Sequence, residues 1–389
     1  MKTDPDPIAL LKELVAFPTV SHRPVSAIAA VLAQRAEEAG GQTELLESSD
    51  GKCNVIARFG PPSTDGIVLS GHMDVVPTEG QDWTSDPFKL VEREGRLFGR
   101  GSADMKGFLA AVTSALPQLP IHQLKRELVL IWTHDEEVGC LGSQHLADRW
   151  AEHLGPLPSQ AWIGEPTDLK MCRMHPGHST IEICCLGRAA HSSRPGLGIN
   201  AIQIAQRVLA ALEALAESWR QNTAYEADLV CPFTVMNVGQ IQGGTAVNIV
   251  PDRCVITVGI RPLPGSDTAS HITEIKDALR PAALHAQVLG GSIGVETLQV
   301  GPALLTPAGT RLERHLCPHA SADTATAAPF ATDGGNLARL GMSSIVFGPG
   351  SIDVAHRADE FIPASQLVAC VETVRSVVHQ LCTENPVPA

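Results

Sequence analysis

The stretch IVLSGHMDVVP, residues 67–77, constrains the fold most, because an apolar run ends abruptly in two chemically active side chains. Its first three residues are typical of a short buried strand. His72 and Asp74 follow, and residues two apart on an extended backbone point to the same side. The carboxyl ends of strands are where open α/β sheets bind ligands. The pair is therefore either a metal-binding histidine oriented by an acid or an ion pair in a loop.

The composition is that of a globular protein and excludes several classes of partner. A chain of 389 residues predicts two domains, and 44% hydrophobic with 18% charged residues supports a full core. The formal net charge of −13 and the single tyrosine argue against binding to nucleic acid. No apolar run approaches the ~20 residues that a membrane helix needs. We expect neither a nucleic-acid nor a membrane partner.

The cysteines indicate a reducing environment. There are ten, dispersed along the chain, and none forms a C-x-x-C pair, which argues against a thiolate zinc cluster. Dispersed thiols without a recognisable signal peptide predict a cytoplasmic protein.

The order of predicted strands and helices indicates an α/β fold with an insertion. Strands, loops and helices alternate up to about residue 175, as in sheets with right-handed crossovers. A β-α-β-β-α set follows, and alternation resumes after about residue 290. We predict an α/β domain with a mixed, largely parallel sheet formed by residues 1–176 and 288–389. A smaller inserted α+β domain, β-α-β-β-α-β-like, is predicted for residues 177–287.

Acidic residues follow other predicted strands and loops. Asp104 comes after a Gly-Arg-Gly-Ser loop, where its side chain could instead cap the next helix. Glu136 and Glu137 follow the apolar strand LVLIWT. Two adjacent carboxylates repel each other, and a plain helix start does not need both. Since neighbouring side chains diverge, one can bind a cation while the other faces a substrate.

Two more residues of metal-ligand type stand at predicted strand ends. Glu165 lies in a Gly-Glu-Pro turn after a short strand, and His356 follows the Gly-rich loop FGPGSIDVAH. Ligand-type residues therefore recur at five strand-to-loop junctions. Imidazole and carboxylate donors without thiolate suit zinc, cobalt or manganese, and a pair of such ions suits hydrolysis.

Five stretches, in chain order, resemble the dinuclear-zinc aminoacylase/carboxypeptidase metallopeptidase family: SGHMDVVP, GRGSADMKG, THDEEVGCLGS, GEPT and GPGSIDVAHRADE. The resemblance implies that the α/β domain is catalytic and that the insertion is a lid and dimerisation domain. It also implies two Zn²⁺ ions per subunit, with Co²⁺ as a substitute, and a homodimer.

The resemblance assigns a role to each motif residue. The implied metal ligands are His72 and Glu165 for one ion, Glu137 and His356 for the other, and Asp104 as the bridge. Asp74 would orient His72. Glu136 would be the general base that takes a proton from the attacking water and passes it to the leaving amine.

The inserted domain carries further candidates. His191, in GRAAHSSRPGLG, resembles a family histidine that reaches the reaction centre of the neighbouring subunit and polarises the scissile carbonyl; it could also be an ordinary loop residue. Asn248 and Arg261 resemble substrate-anchoring positions, although Arg261 could equally form an ion pair at the rim. Thr332, outside the insertion, is predicted as a further substrate-binding residue.

The expected function is metal-dependent removal of an acyl group from a small amino acid. Within the family the motifs are closest to the acetylornithine deacetylases, so N2-acetyl-L-ornithine is the expected substrate, in arginine biosynthesis. Succinyl-diaminopimelate desuccinylase, aminoacylase or small-peptide carboxypeptidase activity would use the same chemistry. A non-catalytic amino acid-binding protein on this scaffold is the alternative of another class.

Overall fold

The structure is a computed structural model that describes residues 6–21, 23–48, 51–153, 155–221 and 229–383. The chain divides into two compact units. The first unit comprises the chain up to Met174, Leu304–Ala328 and the chain from Thr332 onward. The second unit comprises His175–Ala303 and Pro329–Ala331. Among the described residues, no helix has both the length and the apolarity needed to cross a bilayer.

The elements follow one another in three groups along the chain. The first unit begins with α1 (Pro7–Val15), α2 (Ser26–Glu38), β1 (Gln42–Glu47), β2 (Cys53–Phe59), β3 (Ile67–His72), β4 (Val91–Arg93), β5 (Arg96–Phe98), α3 (Lys106–Ala115), β6 (Leu128–Thr133), α4 (Leu141–His153), β7 (Gln160–Ile163) and β8 (Cys172–His175). The second unit contains β9 (His178–Leu186), β10 (Ala190–His191), α5 (Ala201–Gln221), β11 (Val235–Gly243), β12 (Ile249–Val250), β13 (Arg253–Arg261), α6 (Thr268–Val288) and β14 (Ser292–Gly301). The first unit is completed by β15 (Leu304–Leu305), α7 (Arg311–Leu316), β16 (Thr326–Ala327), α8 (Gly334–Arg339), β17 (Ser343–Val346), β18 (Phe361–Pro363) and α9 (Ala364–Thr383).

The first unit is built on a nine-stranded mixed sheet within the described residues. Its order is β1-β2-β6-β3-β7-β17-β8-β15, with β16 paired to β8. Neighbours in the central run β6-β3-β7-β17 are parallel, whereas β1, β2 and β6 pair antiparallel. Every residue of β3 and β6 is buried, as expected for strands with both faces covered. The predicted mixed, largely parallel sheet is confirmed.

Helix α3 lies in the core of the first unit. All ten of its residues are buried, and the ring of Phe108 packs 5.5 Å from that of Trp162 and 6.4 Å from that of Trp132. A Cβ added at Gly164 would lie 1.9 Å from Cγ of Phe108. Only glycine therefore fits where β7 ends, immediately before Glu165.

The second unit is an antiparallel sheet with two long helices. The four described strands of this sheet follow the order β11-β13-β9-β14, and β10 pairs separately with β12. Burial alternates along β9 and β13, because one face of each strand packs against the core and the other does not. Residues of α5, among them Ile204, Val208 and Leu212, join this core.

The second boundary of the insertion differs from the predicted one. Residue 287 lies inside α6, which continues through Pro281 to Val288. The following strand, β14, pairs antiparallel with β9, from Ser292 with Leu186 to Gly301 with His178. The strand therefore belongs to the second unit, which extends to Ala303. Local sequence patterns do not reveal this pairing, because its two strands are more than a hundred residues apart along the chain.

Candidate metal centre

The carboxyl ends of neighbouring parallel strands bring the predicted ligands together. His72 is the last residue of β3. Glu165 is the second residue after the end of β7, directly following Gly164. Glu136 and Glu137 follow β6, and His356 lies in the loop after β17. Because β6, β3, β7 and β17 are adjacent and parallel, their ends meet at one edge of the sheet.

Asp104 lies between the two histidines. Its Oδ1 is 3.0 Å from Nε2 of His72 and its Oδ2 is 3.1 Å from Nε2 of His356. Helix α3 begins only at Lys106, with Met105 at the N-cap and no side-chain cap, so the helix-capping interpretation of Asp104 is wrong. Each oxygen of this carboxylate instead faces a different imidazole, which is the geometry that a bridging ligand requires.

The first group of donors is centred on His72. Its Nδ1 lies 2.9 Å from the backbone carbonyl oxygen of Asp74, and since a carbonyl can only accept, Nδ1 carries a proton. In the neutral ring Nε2 therefore has the lone pair that a metal ion needs. This nitrogen lies 3.8 Å from Oε1 of Glu165 and 4.0 Å from Oε2 of Glu136.

The second group of donors consists of Glu137, His356 and the other oxygen of Asp104. Nε2 of His356 is 2.9 Å from Oε2 of Glu137. Hydrogen bonds to Asp104 and Glu137 raise the pKa of His356 to about 10. Since a metal ion must displace this proton, cation binding at this position is coupled to proton release.

The carboxylate of Asp74 has a different contact from the predicted one. It lies 3.7 Å from Nδ1 of His72, beyond hydrogen-bond range, and His72 is oriented by the backbone carbonyl instead. The carboxylate accepts the backbone N–H groups of Glu136 at 3.0 Å and Glu137 at 3.3 Å. The hydroxyl of Ser21 donates to it at 2.9 Å. Asp74 therefore fixes the turn that presents both glutamates, and it is not a simple ion pair in a loop.

The pKa values of the clustered side chains indicate whether the centre is suited to binding cations. Burial, followed by the carboxylate of Asp104, raises the pKa of Glu137 to about 7. The same two causes raise the pKa of Glu165 well above its ordinary value. Burial lowers the pKa of His72, but the surrounding carboxylates outweigh it and the net shift is upward. Carboxylates buried this closely can all be ionised only when cations neutralise them, so the donor set fits divalent metal ions.

Glu136 is a carboxylate whose pKa lies well above its ordinary value. Burial is the main cause of the raised pKa, and neighbouring carboxylates such as Asp333 add to this effect against the opposing charge of His72. Its Oε1 accepts a hydrogen bond from the thiol of Cys140 at 3.3 Å. A base with a raised pKa transfers protons efficiently near neutral pH.

Sequence reasoning missed a buried ion pair that holds the loop of Asp104. Glu360 accepts from Nη1 of Arg100 at 2.6 Å and from the backbone N–H groups of Ala103 at 3.0 Å and Asp104 at 3.1 Å. Both charged residues stand inside motifs that carry the family resemblance, GRGSADMKG and GPGSIDVAHRADE. Their pairing was not visible because 260 positions separate them.

Asp333 was also missed, although it follows the predicted residue Thr332. Thr332 is buried, and its hydroxyl accepts the backbone N–H of Gly334 at 3.0 Å. Asp333 is buried at the start of α8, and its Oδ2 accepts from the hydroxyl of Thr133 at 2.6 Å. A substrate-binding role for Thr332 stays a prediction.

The remaining predicted site residues belong to the second unit. His191 ends β10, which pairs with β12 next to Asn248, and the backbone N–H of Ser192 donates to the carbonyl of Asn248 at 2.9 Å. Arg261 ends β13. All three side chains are exposed, so their roles stay predictions.

A parallel sheet that gathers imidazoles and carboxylates at the carboxyl ends of its strands is typical of a metal-dependent hydrolase. The sequence matches the description "Peptidase family M20/M25/M40" over residues 68–380, and the chain belongs to this family. The family resemblance predicted from the motifs is thereby confirmed, and the chain is a metal-dependent hydrolase of amide bonds.

The chain is similar to curated relatives along nearly its whole length and to a solved structure of the same family. The chain is 33% identical over 400 residues to an acetylornithine deacetylase of Pasteurella multocida (strain Pm70), covering 98% of this chain and 100% of the relative. It is 32% identical to an acetylornithine deacetylase of Salmonella arizonae, covering 96% and 97%. An M20 family metallo-carboxypeptidase from Sulfolobus solfataricus superimposes with a TM-score of 0.77 at 15% identity, covering 97% and 99%. This structural likeness supports the fold.

Proposed function

We propose that this enzyme removes the acetyl group from N2-acetyl-L-ornithine, giving L-ornithine and acetate. The observation that carries the chemistry is the carboxylate of Asp104 between two imidazoles, with Glu136 beside them. The choice of substrate is supported by the two full-length relatives, both named acetylornithine deacetylase.

The proposed cofactor is a pair of Zn²⁺ ions, for which Co²⁺ can substitute. His72 and Glu165 would hold one ion, Glu137 and His356 the other, and Asp104 both. Mixed imidazole and carboxylate donors suit these borderline metals. When bound, such ions act as Lewis acids towards the scissile carbonyl and lower the pKa of water.

The step assigned to this chain's own residues is proton transfer by Glu136. Its Oε1 is engaged by the thiol of Cys140, while its Oε2 faces His72 at 4.0 Å. Oε2 is thus the oxygen directed at the donors. We assign it to take the proton of the attacking water and to return it to the amine that leaves. Asp74, by holding the backbone of Glu136, positions this oxygen.

We further propose that His191 donates a hydrogen bond to the developing oxyanion. The backbone N–H of Ser193 donates to Nδ1 of His191 at 3.2 Å, so Nδ1 accepts and the neutral ring carries its proton on Nε2. An exposed imidazole with a proton on Nε2 is a suitable donor for an oxyanion. In this proposal the enzyme is a cytoplasmic homodimer in which His191 serves the centre of the partner, and Asn248, Arg261 and Thr332 bind substrate.

His191→Ala should stay folded and metal-loaded but lose kcat by ~10²-fold or more. A mixture of His191→Ala and Glu136→Gln subunits tests the dimer, because each mixed dimer regains one centre with both residues intact. Activity that rises after the subunits are mixed and exchanged supports the arrangement. An unchanged kcat in His191→Ala would show that His191 is an ordinary loop residue with no part in catalysis.

A substrate panel tests the proposed reaction. The zinc-loaded and cobalt-loaded enzymes are assayed with N2-acetylornithine, N-succinyl-diaminopimelate, other N-acetyl and N-formyl amino acids, and dipeptides. We expect the highest kcat/KM for N2-acetylornithine. A preference for the succinyl compound or for dipeptides would reassign the substrate within the family. Ligand binding without turnover of any amide would instead support a binding protein.

A further inference from the structure

A second cluster of donors lies against the metal centre and includes Glu136, whose Oε2 faces His72. One ligand atom each from Glu136, Cys140 and Asp333 lies within 4.8 Å of the others. Cys140 is 6% exposed and Asp333 is 1% exposed. Neither Cys140 nor Asp333 belongs to the donor set proposed for the zinc pair. The cluster contains a thiol, which that donor set lacks.

The starts of two helices hold this cluster together. Cys140 immediately precedes α4, and Asp333 is the N-cap residue of α8. The side-chain amide of Asn336, in α8, donates to the carbonyl of Cys140 at 3.2 Å and to the hydroxyl of Ser143, in α4, at 3.0 Å. The donors are therefore set by packed elements rather than by a loose surface loop.

Asp333 supplies an independent indication of a ligand. Its Oδ2 accepts from the hydroxyl of Thr133. Its Oδ1 is buried and has no hydrogen bond of regular geometry among the residues that the structure describes, although the Ser143 hydroxyl lies close enough to lower the pKa of Asp333 against the larger effect of burial. Buried carboxylate oxygens are rarely left without a partner, because the lost solvation is costly. A cation at the cluster would satisfy this oxygen.

We infer that Glu136, Cys140 and Asp333 form a third cation site, which binds a thiophilic divalent ion such as Cd²⁺ or zinc in excess. Thiolate sulfur selects soft and borderline ions. On binding, the S–H bond of Cys140 breaks, its proton passes to the solvent and the sulfur keeps the electron pair that forms the bond to the ion. No change of oxidation state is required.

Occupancy of this site has a consequence that rests on the proposed function. An ion held by the carboxylate of Glu136 prevents that carboxylate from accepting a proton. We therefore expect the ion to inhibit hydrolysis without displacing the zinc pair. The ion does not occupy the predicted substrate-anchoring residues of the second unit, so we expect the inhibition not to be competitive with the substrate at those residues.

The experiment titrates the zinc-loaded enzyme with CdCl₂ and records three signals: the ultraviolet charge-transfer band of a cadmium thiolate, the protons released, and the hydrolysis rate. The zinc pair has no thiolate donor, so cadmium exchange there gives no such band. Cys140→Ser is the test variant, and Cys231→Ser, at an exposed cysteine of the second unit, is the matched control. Inhibition is expressed relative to the uninhibited rate of each variant.

We expect a band and a proton release in the parent and in Cys231→Ser that are lost in Cys140→Ser. The inhibitory concentration should rise roughly tenfold or more in Cys140→Ser, equivalent to about 1.4 kcal/mol. Asp333→Asn, a second variant in case the first does not fold, should keep the band but require more cadmium. A band of unchanged strength in Cys140→Ser would overturn the site. A Cys140-dependent band without inhibition would establish the site and reject Glu136 as the base.

Discussion

Replacing Glu136 with glutamine should lower kcat by ~10²–10⁴-fold, the range that general acid–base catalysis contributes. Glutamine keeps the shape of the side chain but cannot accept the proton of the attacking water. The ligand donors His72 and Glu165 are untouched, so the metal content should stay at the parental value. Steady-state kinetics combined with elemental analysis of the purified protein checks both expectations.

Glu44→Gln is the matched control, because this glutamate is exposed on β1, away from the centre. It should behave as the parent. Near-parental turnover in Glu136→Gln would reject the assignment of the base. A loss of metal in that variant would show instead that Glu136 is a ligand.

Asp104→Asn should abolish activity as completely as removal of metal by a chelator does. The amide has one oxygen where the carboxylate presents two, so it cannot face both His72 and His356 as an acceptor. We expect the metal content to fall. The stabilisation that the metal provides should fall with it, by about 4 kcal/mol for an ion present at a thousand times its dissociation constant.

Unfolding monitored with and without added zinc, alongside elemental analysis, checks this result. Asp65→Asn, at an exposed loop position, serves as the control and should keep a zinc-dependent unfolding midpoint. A variant Asp104→Asn that retained full metal content and the same zinc-dependent stabilisation would show that the carboxylate does not bridge the two positions.

Local patterns predicted the elements that carry the ligands because the relevant signals are short in sequence. Apolar runs such as LVLIWT identify buried strands, and polar residues directly after them mark strand ends. Parallel strands bring those ends to one edge, so the sequence alone predicts that His72, Glu137 and Glu165 lie close together. The family resemblance supplied the roles, which the kinetics above will test.

Contacts between segments that are distant in the sequence could not be predicted from local sequence patterns. The pairing of β14 with β9 moved the boundary of the second unit, and the ion pair of Arg100 with Glu360 joins two separate motifs. Asp74 was assigned to orient His72 through its carboxylate, whereas the carboxylate holds the amides of Glu136 and Glu137. Which of several nearby groups a side chain bonds to depends on their distances in the folded protein, and tertiary packing determines those distances.

The position of β17 in the sheet has a consequence for the enzyme during its synthesis. This late strand lies between the early strands β7 and β8, and His356, which follows it, is the last of the proposed metal ligands along the sequence. A nascent polypeptide still emerging from the ribosome thus lacks both a finished sheet and its last imidazole until translation has passed residue 356. With the proposed ligands, the hydrolase is inert until His356 has been synthesised and has folded against the sheet.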